Sequence, residues 1–505
     1  MISNIKNYLE SEKSIKTKPG RTLSGVAPAA VMTKPGTCKH IKKGIGPCTM
    51  CPGGLNSVFG STPQSYTGNE PASMRGKRNK YDPYLQIFNR LEQYILLGHN
   101  VEKIELIVMG GSFLDFNKKY REEFITYCFK ALNDFGKIFF KKKFDFKKFK
   151  KFFELPCDDI GNIERIEKLQ KKILKLKGKS PLEREQKRNE KNRIRAVALC
   201  VESRPDITIN DGKELLRLGV TRVEIGIQSL YDSVLDKINR GHKVSDSINC
   251  LKMLRELGFK VSVHYMIGLP GSTKKMDLYG FKKLFSDENF KPDMLKIYPC
   301  IVMKGTKLEE EYLNGKYKPM SNLEAAELIA EMKRIIPEYC RVQRIQRDIT
   351  KGITAGVDKS NLRQDVKKIM KERNWECRCI RCREIGRTSK IGKEKLEVSE
   401  YNASNNKEFF IQITKGGLIG FCRLRFVNDY GIVRELHVYG ESAELGKIGK
   451  VQHRGYGKLL MKKAEEICKK NKKRKLLVIS GVGAKMYYKK LGYKKYGYYM
   501  SKTFS

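Results

Sequence analysis

Three cysteines, Cys38, Cys48 and Cys51, stand in a C-x9-C-x2-C pattern just ahead of Pro52-Gly53-Gly54. A close pair plus a third thiol on a flexible loop can hold three corners of an iron–sulfur cluster, where closely spaced thiolates are the usual ligands. Three protein thiolates on a four-iron cluster leave one iron open to a small reactive molecule. The plainer reading is three unrelated loop thiols. The Pro-Gly-Gly that follows, which lets backbone approach a ligand closely, weighs against it. A second group, Cys377, Cys379 and Cys382, has C-x-C-x2-C spacing. Tight cysteine groups of this kind preorganise a tetrahedral zinc site, which wants four ligands. No fourth ligand is adjacent, and Cys340, Cys422 and His437 remain open as candidates. A third stretch, Gln452-His-Arg-Gly455-Tyr456-Gly457-Lys458, places glycines where a helix opens. Free N–H groups at a helix N-terminus bind phosphate oxygens.

The elements that must position these groups fall into a rhythm. Val26–Met32 reads as a short buried strand, and the cysteine loop leaves its C-terminal end. Further strands are expected over 104–109, 195–201, 222–228, 260–266 and 294–298, with helices over 84–97, 211–218, 245–257 and 281–285 between them. Alternation of this kind means βαβ units and a parallel sheet. Six units make a partial (β/α)6 barrel, and in such folds chemistry gathers at strand C-terminal ends. The cysteine loop, Gly110, Gly111, Glu202, Arg204, Glu224, Gln228, His264 and Lys296 are expected there. A helix over 325–336 leads to Arg341–Asp348, read as an extended basic segment. The last hundred residues form a separate mixed α/β unit. It has a hairpin turning at Gly416-Gly417, a strand over 432–439, the glycine turn with its helix, and Tyr487-Tyr488 near its end. The expected division is a basic lead-in over 1–20, the barrel over 21–335, a cysteine linker over 336–395 and the terminal domain over 396–505.

Charge narrows the partners. The chain of 505 residues carries a formal net charge of +46. Such a surplus argues for a polyanion, most simply nucleic acid, although a compositionally biased genome also yields lysine-rich chains. Arg75, Lys77 and Arg78 interleave with tyrosines, a mixture suited to phosphates and splayed bases; a solvated charged loop weighs equally. Residues 137–195 hold 21 Lys and Arg against 9 Asp and Glu. That segment reads as a basic helical insertion, striped by Ile163, Ile166, Leu169, Ile173 and Leu176, with a solvated excursion preferred. Clustered cysteines without a signal peptide indicate metal sites in a reducing compartment, not disulfides. No apolar run reaches the roughly 18–20 residues of a membrane span. A cytoplasmic protein is expected.

Together the motifs resemble one family. CPGG at Cys51, QSYTGNEP at Gln64, YDPY at Tyr81, MGGSF at Met109, ESRPD at Glu202, EIGIQS at Glu224, NRGH at Asn239, CRCIRCREIG at Cys377, ELHVYG at Glu435 and ISGVGAKMYYKKLGY at Ile479 resemble the Elongator catalytic subunit and its stand-alone archaeal and bacterial relatives. The resemblance spans about Arg21 to Lys502. It implies a radical S-adenosylmethionine barrel, a zinc linker and a GNAT-type acetyltransferase domain acting on tRNA.

The resemblance further implies that Cys38, Cys48 and Cys51 hold a 4Fe–4S cluster, with S-adenosylmethionine near Gly110, Gly111, Glu202, Arg204 and Gln228. Glu435, Leu436, His437, Val438, Gln452, Gly455, Tyr456, Gly457, Lys458 and Tyr488 match acetyl-CoA contacts. Lys103, although in the barrel, also matches one, and with Tyr487 and Tyr488 it stands as a catalytic candidate. Cys377, Cys379 and Cys382 match the zinc ligands. Arg75, Lys77, Arg78, Arg344 and Arg347 are candidate tRNA contacts. The implied reaction uses a 5′-deoxyadenosyl radical to join the acetyl methyl carbon to C5 of the wobble uridine, giving carboxymethyluridine. The resemblance leaves open Elongator-type partner subunits or a homodimer. The alternative is a protein lysine acetyltransferase, of histone type, whose barrel is structural; a complete cysteine loop would then be surplus.

Overall fold

The computed structural model describes Gly20 and residues 22–157, 159, 161–348, 352–358, 360–387, 392–440 and 454–504. The lead-in expected over 1–20 lies almost entirely outside the described residues.

Six parallel strands appear where the apolar runs place them: β1 (Ala27–Met32), β2 (Lys103–Met109), β3 (Arg195–Ser203), β4 (Arg222–Gln228), β5 (Lys260–Ile267) and β6 (Met294–Pro299). β7 (Val302–Met303) and β9 (Ile353–Ala355) form a small antiparallel pair. β8 (Arg341–Arg344) adds a seventh strand to the main sheet, parallel to β6, so the order is β1-β2-β3-β4-β5-β6-β8. β1 and β8 do not pair, and the sheet is an open, curled half-barrel.

The free edge of β1 is completed by side chains. Gln86 donates to Met32 O at 2.9 Å and accepts from Met32 N at 2.8 Å. Arg75 donates to Ala30 O at 2.8 Å, and the Tyr94 hydroxyl to Pro28 O at 2.7 Å.

Helices cover the convex face. Pro83–Leu96 is capped by Asp82, which accepts from Tyr84 N and Leu85 N, and Pro83 at its start costs no hydrogen bond. The 22-residue helix Lys118–Phe139 packs beside it. The basic insertion is helical over Phe146–Phe153, Ile163–Leu174 and Leu182–Lys191. It is not a freely solvated excursion. Phe149 and Phe153 are buried and meet Phe135 and Phe139, while the lysines between them face water. The expected stripe is half correct: Leu169 and Ile173 are buried, but Ile163 is 72% exposed.

The C-terminal sheet has seven strands in the order β10-β11-β12-β13-β14-β16-β15: β10 (Lys395–Ala403), β11 (Asn406–Lys415), β12 (Gly417–Val427), β13 (Tyr430–Val438), β14 (Lys475–Val478), β15 (Lys494–Tyr496) and β16 (Tyr499–Thr503). Neighbours are antiparallel except β13 and β14. On β13, β14 reaches only Tyr430–Val433, so the sheet splays open beyond Val433. On that side no strand among the described residues runs beside Glu435–Val438, while on the other they pair with Gly420–Arg423. The helix Tyr456–Lys470 lies against β11, β12 and β13.

The two sheets meet at one end of the half-barrel. Arg434 binds Asp293, just ahead of β6; Glu435 binds Lys260, the first residue of β5; His437 faces Ser24 O, ahead of β1; Tyr439 binds Arg341, the first residue of β8. Every one of these contacts sits at a strand N-terminus. None of the described helices is long and apolar enough to cross a membrane.

Candidate functional site

The cysteine loop leaves β1 at Met32 and returns through many backbone anchors. Thr33 N donates to Met109 O, Thr49 N to Ile238 O, and Cys51 N to Cys48 O in a turn. The Asn239 amide donates to Ile45 O at 2.6 Å and Pro47 O at 3.1 Å. β2 ends under the loop, where a Cβ at Gly110 would lie 1.9 Å from Thr33 Oγ1 and one at Gly111 2.9 Å from Gln64 O. Only glycine fits there, and both have positive φ.

Residues from three distant motifs surround the thiols. Gln64 Nε2 donates to Cys51 Sγ at 2.9 Å, and Arg240 lies 3.5 Å from Cys48 Sγ. Arg204 donates to Arg240 O at 2.7 Å and stands 3.5 Å from His40 Nδ1. Burial raises the Cys48 thiol, but Arg240, a His40 hydrogen bond and Arg204 outweigh it and bring it down to about 6. Cys38 goes the other way, to about 11, through burial and the charge of Asp115. Gln64, Arg240 and His40 carried no assignment from the sequence, although QSYTGNEP and NRGH contain the first two. No spacing rule links residue 64 or 240 to residue 51; only the folded loop does.

The donor sets at the two cysteine groups differ. The Sγ atoms of Cys377, Cys379 and Cys382 lie within 4.8 Å of one another, the closeness a single tetrahedral ion with Zn–S bonds of about 2.3 Å needs. Cys38, Cys48 and Cys51 form no such tight set among the described residues. A spread trio on a cationic loop fits a multi-iron cluster with several corners better than one ion. At the linker, Lys333 Nζ is 3.5 Å from Cys382 Sγ and Cys340 is fully buried near Cys379. Of the fourth-ligand candidates none joins the trio: Cys422 lies in β12, and His437 is engaged with Ser24 O at 2.8 Å.

One cavity of about 1290 Å³ runs from the cysteine loop through the half-barrel to the C-terminal domain. Alternate strand residues face it, as the pleat requires: Lys103, Glu105, Ile107 and Met109 on β2, then Arg222, Glu224, Gly226 and Gln228 on β4. Its middle is a charged lattice. Glu224 meets Lys296, Arg222 at 3.2 Å and His264 Nε2 at 3.2 Å, while Glu202 meets Lys296 at 3.4 Å and the Tyr66 hydroxyl at 3.0 Å. Burial opposes ionising Glu224, yet Lys296 and Arg222 hold it well below the usual range. Burial and the Lys296 charge push His264 below its ordinary value, against the pull of Glu224. Glu202, Glu224 and His264 are close enough to hold a cation, but the Lys296 ammonium already fills that role.

At the other end the cavity is lined by Glu435–Tyr439, Gly455–Lys458, Tyr487 and Tyr488. Gly455 has φ 89° and caps the helix that follows. A helix opened this way presents N–H groups to a diphosphate, and the stretch of β13 past Val433, where β14 no longer runs beside it, lines the same part of the cavity. These residues fit coenzyme A. Lys103 lies here, at the start of β2 and not at a strand C-terminus, and burial lowers it to about 8. Gln452 lies outside the described residues. Among the basic candidates, Lys77 and Arg78 are exposed. Arg344, Arg347 and Arg75 all line the cavity, and Arg75, 9% exposed, also holds the β1 edge.

A half-barrel with a three-cysteine loop, sharing one cavity with a splayed C-terminal domain, defines a radical S-adenosylmethionine enzyme with its own acyltransferase. A Radical SAM superfamily model matches residues 48–279, a Radical_SAM C-terminal domain model 292–372 and an Acetyltransferase (GNAT) family model 374–493. A Methanocaldococcus infernus protein named tRNA uridine(34) acetyltransferase is 43% identical, over 99% of this chain and 90% of its own. Elongator complex protein 3 of Saccharomyces cerevisiae is 38% identical, over 97% of this chain and 85% of its own. The solved archaeal Methanocaldococcus infernus Elp3 with N-terminus deletion (1–46) is 36% identical with a TM-score of 0.75, covering 96% of this chain and all of that one. The chain belongs to the family of tRNA uridine(34) acetyltransferases and Elongator complex protein 3.

Proposed function

We propose that the protein modifies tRNA at the wobble uridine, attaching to C5 a carboxymethyl group drawn from acetyl-CoA. The observation that carries this reading is the single cavity shared by the cysteine loop and the coenzyme A edge. Acetyl transfer to lysine would need only the second of these. When bound, a 4Fe–4S cluster supplies the electron that cleaves S-adenosylmethionine to a 5′-deoxyadenosyl radical, which takes hydrogen from the acetyl methyl. The chain's own groups do the rest of the positioning. Arg240 and Gln64 steady two of the thiolates, and Gly111 admits a ligand close to backbone. Glu202, Glu224 and Lys296 give the bore fixed polar walls, and closure by the C-terminal domain limits water. The basic surplus, with Arg344 and Arg347 lining the cavity and Lys77 and Arg78 exposed, suits a tRNA backbone. Zinc at Cys377, Cys379 and Cys382 is the linker ion their spacing favours. None of the fourteen cysteines is in a disulfide, consistent with a reducing cytoplasm.

The test is anaerobic reconstitution with iron and sulfide, then incubation with tRNA, acetyl-CoA, S-adenosylmethionine and a reductant. Carboxymethyluridine and 5′-deoxyadenosine are expected together. Absence of both overturns the proposal.

A further inference from the structure

The three thiols of the cysteine loop are not served alike. Cys38 is met by the backbone of its own turn, through the N–H of His40. Cys51 and Cys48 are met by side chains from elsewhere. Gln64 Nε2 lies 2.9 Å from Cys51 Sγ, with Ser65 Oγ at 3.5 Å. Arg240 Nη1 reaches Cys48 Sγ at 3.5 Å from 192 positions along the chain.

The orientation of the Gln64 amide is fixed by what surrounds it. Its Nε2 has two neighbours, Cys51 Sγ and Gly53 O at 2.8 Å, and both accept hydrogen bonds. An oxygen in that place would face two acceptors, so the nitrogen belongs there. The other end of the amide is unanswered: Gln64 Oε1 is buried without a partner, which destabilises the fold. Stability alone therefore does not account for a glutamine here. Two glycines make room for it. A Cβ at Gly54 would stand 3.2 Å from Gln64 Oε1, and one at Gly111 3.0 Å from Gln64 Cβ. Arg240 is anchored in the same manner. Its Nη2 donates to Gly226 O at 2.9 Å, where a Cβ on Gly226 would stand 2.9 Å from that nitrogen, and Arg204 holds the Arg240 carbonyl at 2.7 Å.

Hydrogen bonds to the ligating sulfurs and nearby positive charge stabilise the more negative, reduced state of an iron–sulfur cluster and so raise its potential. We propose that Gln64 and Arg240 are positioning residues for that potential, acting through Cys51 and Cys48 to make the cluster easier to reduce. The proposal rests on the functional reading above, which puts the cluster on this loop. It gives the QSYTGNEP and NRGH segments a shared role that neither has alone.

Wild type, Gln64→Met and Arg240→Met are reconstituted anaerobically with iron and sulfide and titrated with a reductant while the EPR signal of the reduced cluster is read. Methionine is an unbranched chain that donates no hydrogen bond. In each variant the reduced-to-oxidised ratio at the wild-type midpoint should fall about tenfold, a shift of about 59 mV for one electron. Arg240→Lys keeps the charge without the fork and should recover part of the shift. Iron and sulfide content equal to wild type with an unchanged midpoint overturns the proposal. A second readout needs no variant. With the glutamine side-chain nitrogens labelled with nitrogen-15, pulsed EPR of the reduced wild-type cluster should show a weak coupling to one of them, and its absence overturns the role of Gln64. A wild-type chain that takes up no cluster sinks the functional reading and this inference with it. Shifted midpoints in a protein that never modifies tRNA sink the functional reading alone.

Discussion

Arg434 and Asp293 form a two-pronged ion pair across the domain boundary, Nη1 to Oδ2 and Nη2 to Oδ1, each at 2.7 Å, with side chains 1% and 0% exposed. Arg423 and Glu408 extend it on either side. Removing one partner of a buried pair strands the other charge at a cost of about 3–5 kcal/mol. Arg434→Met should therefore lower the unfolding free energy read from urea titration by an amount in that range. Adding Asp293→Leu should restore part of the loss, since an apolar pair has no charge to desolvate. A single variant with wild-type stability would refute the assignment.

The interface should weaken in acid. Burial pushes His437 down from 6.5 to about 4 despite the nearby Glu435. Burial acts to raise Glu435, but Lys260 and Arg423 bring it from 4.5 to about 2. Between pH 6.5 and 4 the unfolded chain takes up a histidine proton that the folded chain refuses; between 4.5 and 2 the same holds for Glu435. In both windows the unfolded state binds more protons, so stability falls as pH falls. His437→Gln should flatten the decline between pH 6.5 and 4 in thermal unfolding curves. An unchanged slope would count against it.

Gly457→Val addresses the coenzyme A end alone. Even a Cβ there would lie 2.6 Å from Tyr487 Oη. Acetyl-CoA affinity measured by calorimetry should drop at least about tenfold, near 1.4 kcal/mol, while 5′-deoxyadenosine formation by the reconstituted chain continues. Affinity unchanged would mean coenzyme A lies elsewhere.

Zinc content should follow the linker trio. Cys379 is fully buried between its partners, and structural zinc contributes folding energy directly. Elemental analysis of Cys379→Ser should show the ion lost, with faster proteolysis near residues 374–387. Retained zinc would point to ligands outside the trio.

Much of this architecture was legible because short segments dense in Val, Ile and Leu, such as Arg222–Gln228, recur between helical stretches, as central parallel strands do. β10 escaped notice because most of its residues are exposed, so it carries no alternating signal. The helix Lys118–Phe139 was missed because Arg121, Lys130 and Asn133 are buried on it, which breaks the apolar stripe. The charged lattice was the least visible part. Nothing in the sequence singled out Arg423, Arg425 and Arg434, whose carboxylate partners lie up to 141 positions away. Lys103 falls outside the rule that chemistry sits at strand C-termini, because it starts β2, at the end where the C-terminal domain docks.

The side chains lining the outer edge of β1 have a consequence for association. An open parallel sheet normally ends in free amides and carbonyls that recruit a foreign strand, the first step toward domain swapping or fibrils. At Pro28, Ala30 and Met32 those groups are already taken by Tyr94, Arg75 and Gln86. A second chain would have to displace a tyrosine, an arginine and a glutamine together before it could add to this edge. The half-barrel thus stays open to ligands along its axis while remaining closed to polymerisation at the strand that carries the cysteine loop.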